Sequence, residues 1–172
     1  MGKRGLVTIA VISILSATTG EIAQGQMPNC TFNLVSPGVI VAIGKDLGTI
    51  GAENQPLVGL GSYVAQSAVV NIQCNHTTAV YVHSPMLVVG NHAFMPVEAK
   101  TVASFAEGSS VVGKLAVVSN MTIIDTKSPD YFLIQDPTKT YTASIDINLR
   151  NPSGIPVGEY EYDVKITASQ LD

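Results

Sequence analysis

The chain has no tryptophan, only two cysteines and few charges: 13% of its 172 residues are Asp, Glu, Lys or Arg, about half the share of an ordinary soluble domain. Each scarcity excludes something. Nine Lys and Arg against thirteen Asp and Glu leave a net charge of −4, which argues against a nucleic-acid partner, since such a protein needs a basic face to neutralise phosphates. Two cysteines far apart cannot form a structural zinc set, and His76, His83 and His92 make no i,i+4 pair, so no metal or other cofactor is expected. No apolar run reaches the roughly 20 residues of a membrane span, so stable membrane insertion is not expected. Nucleophile elbows, His-Glu-x-x-His and phosphate-binding glycine loops are missing too, so no catalytic residue is expected and the chain does not read as an enzyme. Gly59-Leu60-Gly61-Ser62 is a lone glycine pair and reads as a flexible turn.

What is present begins with an address. Lys3 and Arg4 precede an apolar run from Leu6 to Leu15, followed by small and polar residues from Ser16 to Gln24. A positive start, a short apolar stretch and small residues before a cut describe a secretory signal peptide. The favoured cut falls after Gly25, with Ala23 and Gly25 at the small-residue positions; cuts after Ala17 or Gly20 are alternatives, as is a short uncleaved anchor. Residues 1–25 are therefore read as a removed leader and 26–172 as a single domain. The expected destination is outside the cell or on its surface. There the two cysteines, Cys30 and Cys74, are expected to be bridged, with two buried free thiols as the alternative.

Strand signals dominate after residue 30. From Tyr141 to Arg150 apolar residues alternate with Thr142, Ser144, Asp146, Asn148 and Arg150, a period of two that means one buried face. Tyr160, Tyr162, Val164, Ile166 and Ala168 repeat the pattern against Glu159, Glu161, Asp163, Lys165 and Thr167. Val70, Ile72 and Cys74 alternate with Asn71 and Gln73, which puts Cys74 on the inward face of its strand. Further strands are expected at Thr31–Val35, Val39–Ile43, Ala79–His83, Thr101–Phe105, Lys114–Val118, Met121–Asp125 and Tyr131–Ile134, with turn residues between them. At most one helical turn is expected, near Val97–Ala103. Many short strands with frequent turns imply an all-β antiparallel sandwich or barrel, and one inward disulfide between early strands favours the sandwich.

The chemistry-bearing residue types allow only modest site assignments. Glu159, Glu161 and Asp163 align on one strand face. They would serve a glycosidase only if paired in a cleft, and they read instead as a solvated charged face that suppresses edge pairing. Asp125, Asp130 and Asp136 flank loops without calcium-loop spacing and read as turn formers. Tyr81 and His83 share a face opposite Val80 and Val82 and are the best candidates for an exposed glycan contact. Three Asn-x-Ser/Thr sequons start at Asn29, Asn75 and Asn120.

The two ends of the mature chain carry a resemblance. One Cys lies just after the leader, a second closes a strand in Ala68-Val-Val-Asn-Ile-Gln-Cys74-Asn75, and the chain ends in Gly154-Ile-Pro-Val-Gly-Glu-Tyr-Glu-Tyr-Asp-Val-Lys-Ile-Thr-Ala168. This resembles secreted pilin-like sandwiches, the spore coat protein U family and chaperone–usher fimbrial subunits, whose last strand often opens with Pro-x-Gly-x-Tyr, matched here by Pro156, Gly158 and Tyr160. The stretch from Leu87 to Lys139 has no counterpart in that resemblance. The resemblance implies an incomplete immunoglobulin-like sandwich that lacks its last strand, with Tyr160, Tyr162, Val164, Ile166 and Ala168 beside a groove filled by strand addition. It implies a bacterial fibre, pilus or coat subunit exported through the periplasm, with copies of itself or related subunits, a chaperone and an usher as partners. Only Gln26 to Asn29 would precede Cys30 after a cut at Gly25, and the twelve residues left by a cut after Ala17 hold only Ile22, Ala23 and Met27 as apolar residues. Either is too little for a donor strand, which leaves a subunit that accepts a strand without donating one, as a terminal subunit would, or a complete domain that shares only the architecture. The alternative is a self-contained extracellular carbohydrate- or surface-binding module.

Overall fold

The computed structural model of the chain describes residues 6–10, 30–44, 49–51, 61–90, 95–120, 122, 124–151 and 159–171. Those residues hold fourteen strands and no helix. In chain order these are β1 Leu6–Ala10, β2 Cys30–Ser36, β3 Val39–Gly44, β4 Thr49–Gly51, β5 Gly61–Gln66, β6 Ala68–Cys74 and β7 Thr78–Val82. They continue with β8 Met86–Val89, β9 Glu98–Glu107, β10 Ser110–Ser119, β11 Phe132–Ile134, β12 Tyr141–Arg150, β13 Glu159–Asp163 and β14 Ile166–Gln170.

The largest sheet runs β10-β9-β12-β6-β2, with β4 beside the second half of β12. Its spine is β12, which pairs with β9 along its length and with β6 from Tyr141 to Ile145. Alternation in the sequence becomes alternation in burial: Tyr141, Ala143, Ile145, Ile147 and Leu149 are buried, while the residues between them are partly open. A second sheet has the order β5-β3-β1-β13-β8 and a third β11-β7-β14. The inward faces of all three meet in one core, which holds Val70 and Ile72 of β6, Phe105 of β9, Phe132 and Ile134 of β11, and Tyr160 and Tyr162 of β13. The chain is an all-β sandwich of layered sheets in which every strand pairing but one, among the described residues, is antiparallel.

The expected disulfide is present. Cys30 faces Cys74 directly across the β2–β6 ladder, their Cα atoms are 4.1 Å apart and their sulfurs are bonded. Cys74 is 1% exposed, as its place in the Val70-x-Ile72-x-Cys74 alternation requires.

Three expectations are corrected. The helical turn near Val97–Ala103 is absent: β9 runs from Glu98 to Glu107, because ladders with β10 on one side and β12 on the other outweigh the helix-favouring Glu98-Ala99-Lys100. Met121–Asp125 contributes no strand at Thr122, Ile124 or Asp125; that stretch is stitched to the chain around β8 instead, where Leu87 N–H donates to Thr122 O and Ser84 N–H to Thr126 O. The alternating run from Tyr160 to Ala168 is not one strand. It leaves the second sheet after Asp163, passes Val164 and Lys165, and enters the third sheet as β14. The inward period survives this transfer, since Val164 and Ile166 are both fully buried.

A bulge in β10 makes room for an aromatic stack. The β9–β10 register slips between Val111 and Gly113. The Phe132 ring lies against Gly113, stacked on Phe105 at 4.2 Å and meeting Tyr141 edge-on at 5.5 Å. A side chain at position 113 would occupy the space the ring takes.

Candidate assembly site

The second sheet depends on one short strand. β1 pairs antiparallel with β3, from Leu6 opposite Ile43 to Ala10 opposite Val39. On its other side it pairs in parallel with β13, with Thr8 opposite Glu159, Ile9 opposite Tyr160 and Ala10 opposite Glu161. Without β1 the sheet separates into two ribbons, β5-β3 and β13-β8, with no ladder joining them among the described residues. The strand that closes the gap comes from the apolar run that the sequence presents as a leader. Leu6-Val7-Thr8-Ile9-Ala10 contains no charge, and a continuous apolar stretch satisfies a leader and a two-sided central strand equally well.

β13 forms one wall of the gap. Tyr160 and Tyr162 are 2% and 0% exposed, with rings 6.5 Å apart and nearly parallel. Burial raises the pKa of both phenols, and Tyr162 is pushed further by its neighbour Tyr160. The Tyr162 hydroxyl has no hydrogen-bond partner among the described residues. Val164 and Ile166 continue the buried face, and Ala168 is half-buried in β14. Tyr160, Tyr162, Val164 and Ile166 thus share the buried core while Ala168 does not, and the five residues run from the second sheet through a link at Val164 into the third. Glu161 and Asp163 are half-buried on the opposite face. In the full chain β13 is not a sheet edge, because it has β1 on one side and β8 on the other.

A polar cluster covers the outward face of the third sheet. β7 and β14 pair with Tyr81 opposite Thr167, and His83 N–H donates to Lys165 O just beyond. His83 is 6% exposed, so it is not the open aromatic that alternation suggests. Its Nδ1 lies 2.5 Å from Asp125 Oδ1 and its Nε2 lies 3.0 Å from Thr167 Oγ1, while Lys165 Nζ reaches Asp125 Oδ2 at 3.3 Å. Burial lowers the His83 pKa; the Asp125 hydrogen bond and charge oppose this, and Lys165 and Lys127 add to it. Tyr81 is half-buried with Lys127 Nζ 4.1 Å above its ring, and Tyr131, 46% exposed, packs beside it at 5.8 Å. Tyr131 is therefore the open aromatic of this face.

Thr167, His83 and Asp125 have the connectivity of a nucleophile, base and orienter. A cleft of about 450 Å³ lies elsewhere, lined by residues including Glu107, Lys114, Tyr131, Phe132, Gln135 and Tyr141, and reaches neither His83 nor Thr167. These bonds tie the residue that follows β7 to β14 and to the 124–128 segment. Asp136, by contrast, accepts from the backbone N–H and hydroxyl of Thr138 as a turn cap. No three His, Cys, Asp or Glu side chains gather as a metal site among the described residues.

The strand period alone points Cys74, Tyr160 and Tyr162 inward, and the even cysteine count pairs Cys30 with Cys74. Sequence reasoning misses β1, β4, β5 and β8. It also misses Asp125, Lys165 and Thr167 as partners of His83, because those contacts span 42 to 84 positions in sequence and no local pattern encodes them. Comparison of the chain with protein-family models, with curated proteins and with solved structures found no match.

Proposed function

We propose that the chain is a secreted structural subunit of a bacterial surface fibre, pilus or coat, and that it assembles through β-strand complementation. The observation that carries this reading is the dependence of the second sheet on β1, a strand drawn from the segment that reads as a removable leader. A mature chain without that segment has two facing strand edges, β3 and β13, and a stable state must cover them. The resemblance of the chain's ends to pilin-like sandwiches supports the same reading, and so does the disulfide, a bond suited to an oxidising compartment.

The test is to purify the secreted protein without reductant and to determine its N-terminal residue and native mass together. A start near Gln26, with ladders that resist sodium dodecyl sulfate and hold a second, strand-donating subunit, is the expected result. A start near Gln26 with a stable monomer and an unchanged melting curve overturns it.

A second reading, a carbohydrate- or surface-binding module, is favoured by the Tyr131–Tyr81 pair and the Tyr131-lined cleft. Exposed rings beside polar side chains suit sugar faces. It requires a saturable glycan signal that Tyr131→Ala abolishes and a protein that stays monomeric.

A further inference from the structure

We propose that Leu6–Ala10 is the first occupant of the gap between β3 and β13, so that the uncut chain is closed upon itself and leader removal is the event that makes it competent to assemble. The inference rests on the strand-complementation reading for the assembly step, but the closed state itself rests only on the pairing of β1. That pairing is central: five register positions run antiparallel against β3 and three run parallel against β13. Val7, Thr8 and Ile9 are β-branched, which suits an extended segment enclosed on both edges. The two edges are unequal. Parallel pairs are slightly weaker per residue than antiparallel ones, and here they are also fewer, so release begins at β13, the wall that carries Tyr160 and Tyr162.

The tether decides whether β1 stays. While joined to Cys30 through residues 11–29, the segment meets the gap at an effective concentration on the order of millimolar. The cut expected at Gly25 lies between β1 and β2. Hydrolysis there by a signal peptidase adds water across the Gly25–Gln26 peptide bond, leaving a carboxylate on Gly25 and an amine on Gln26. The five-residue strand then competes only at its bulk concentration, and an extended apolar segment tethered to another subunit displaces it. The partner this gap fits is accordingly a segment of about five uncharged, β-favouring residues that pairs with β3 and β13 at once.

The experiment uses the full chain with a site-specific protease sequence inserted between Gly25 and Gln26, oxidised and purified uncut. Native mass and thermal unfolding are followed before and after cutting, with and without a synthetic peptide spanning Gly5–Ser13. The expected results are an uncut monomer, loss of the N-terminal peptide on cutting, a lower melting temperature, and, since a chain that starts at Gln26 carries no donor segment, association of cut copies through their bared β3 and β13 edges at least roughly 100-fold faster than in the uncut chain. The peptide at roughly millimolar concentration should restore the melting temperature and suppress assembly, and a scrambled peptide should not. Thr8→Pro in the uncut chain removes a backbone donor from the centre of β1 and should permit assembly without cutting. If the uncut chain assembles as readily as the cut one, the self-closure is wrong while the fibre reading stands. If the cut chain loses its peptide and melts lower yet stays monomeric, β1 is a true strand of the uncut fold, but its release does not lead to assembly and that half of the inference falls. If cutting changes neither mass nor melting, the inference is overturned outright.

Discussion

Gly113→Ala should destabilise the protein through a single ring. A Cβ at this position would lie 2.5 Å from Phe132 Cδ2 and 2.8 Å from Cε2, where carbon atoms prefer roughly 3.5–4.0 Å, so the ring must retreat by about 1 Å. It has little room to do so. Phe105 stacks on one face with the planes 6° apart, Tyr141 abuts it edge-on, and Phe132 is only 9% exposed. Overpacking of this kind costs about 1–3 kcal/mol. Replacing glycine by alanine in extended backbone returns about 0.4–1 kcal/mol by restricting the unfolded chain. The net loss is therefore about 1–2 kcal/mol, or roughly 3–6 °C for a chain of this size. Urea unfolding followed by far-ultraviolet circular dichroism measures it, since the chain has no tryptophan to report by fluorescence. The decisive comparison is the same substitution in a Phe132→Leu background, where the ring is gone and Gly113→Ala should be neutral or stabilising. Equal losses in both backgrounds would refute the steric argument, because independent sites add and sites in contact do not.

Removing the bridge as Cys30→Ala/Cys74→Ala should lower stability by about 4 kcal/mol on the chain-entropy model for a separation of 44 residues; a double variant with the wild-type urea midpoint contradicts that. Tyr162→Phe should raise the melting temperature slightly, because it removes a buried hydroxyl that lacks a partner among the described residues, and a clear loss of stability would show that the hydroxyl is bonded after all. His83 makes stability depend on pH. Its pKa is lowered in the folded state from 6.5, so the unfolded chain takes up the proton first. The stabilisation is full above about pH 6.5 and is lost as pH falls through the lowered folded value. The melting temperature of His83→Gln should therefore vary less than that of the wild type as pH falls below 6.5, and parallel curves would remove His83 from the account.

The parts of the fold legible in the sequence are those whose period is set by burial on one face. β12 spans Tyr141–Arg150 as its alternation requires, β6 carries Cys74 inward, and the buried face of Tyr160 to Ile166 survives a change of sheet. What local pattern could not encode was pairing. β9 carries helix-favouring residues and is a strand because β10 and β12 hold it on both edges. β1 reads as a leader because an unbroken apolar run looks the same to a membrane insertion machinery and to a strand enclosed on both sides. The partners of His83 come from β14 and from the Asp125 segment, and only the folded chain brings them within reach. Two buried tyrosines two residues apart were legible, whereas the gap they border was not, since a gap is defined by the strands on either side of it.

The passage of the backbone from β13 to β14 has a mechanical consequence. Only Val164 and Lys165 separate the strand that borders the gap from the strand that pairs with β7. Tension applied along β13 is therefore handed on by covalent bonds to the five-pair β14–β7 ladder from Ile166–Val82 to Gln170–Thr78. A pull along that strand direction loads those pairs together in shear, rather than peeling them one at a time. The Thr167–His83–Asp125 clamp sits at the end of the ladder that meets the load first. Both ring nitrogens of a protonated His83 can still donate, to Asp125 Oδ1 and to Thr167 Oγ1, so the clamp can hold where the force arrives whichever charge the ring carries.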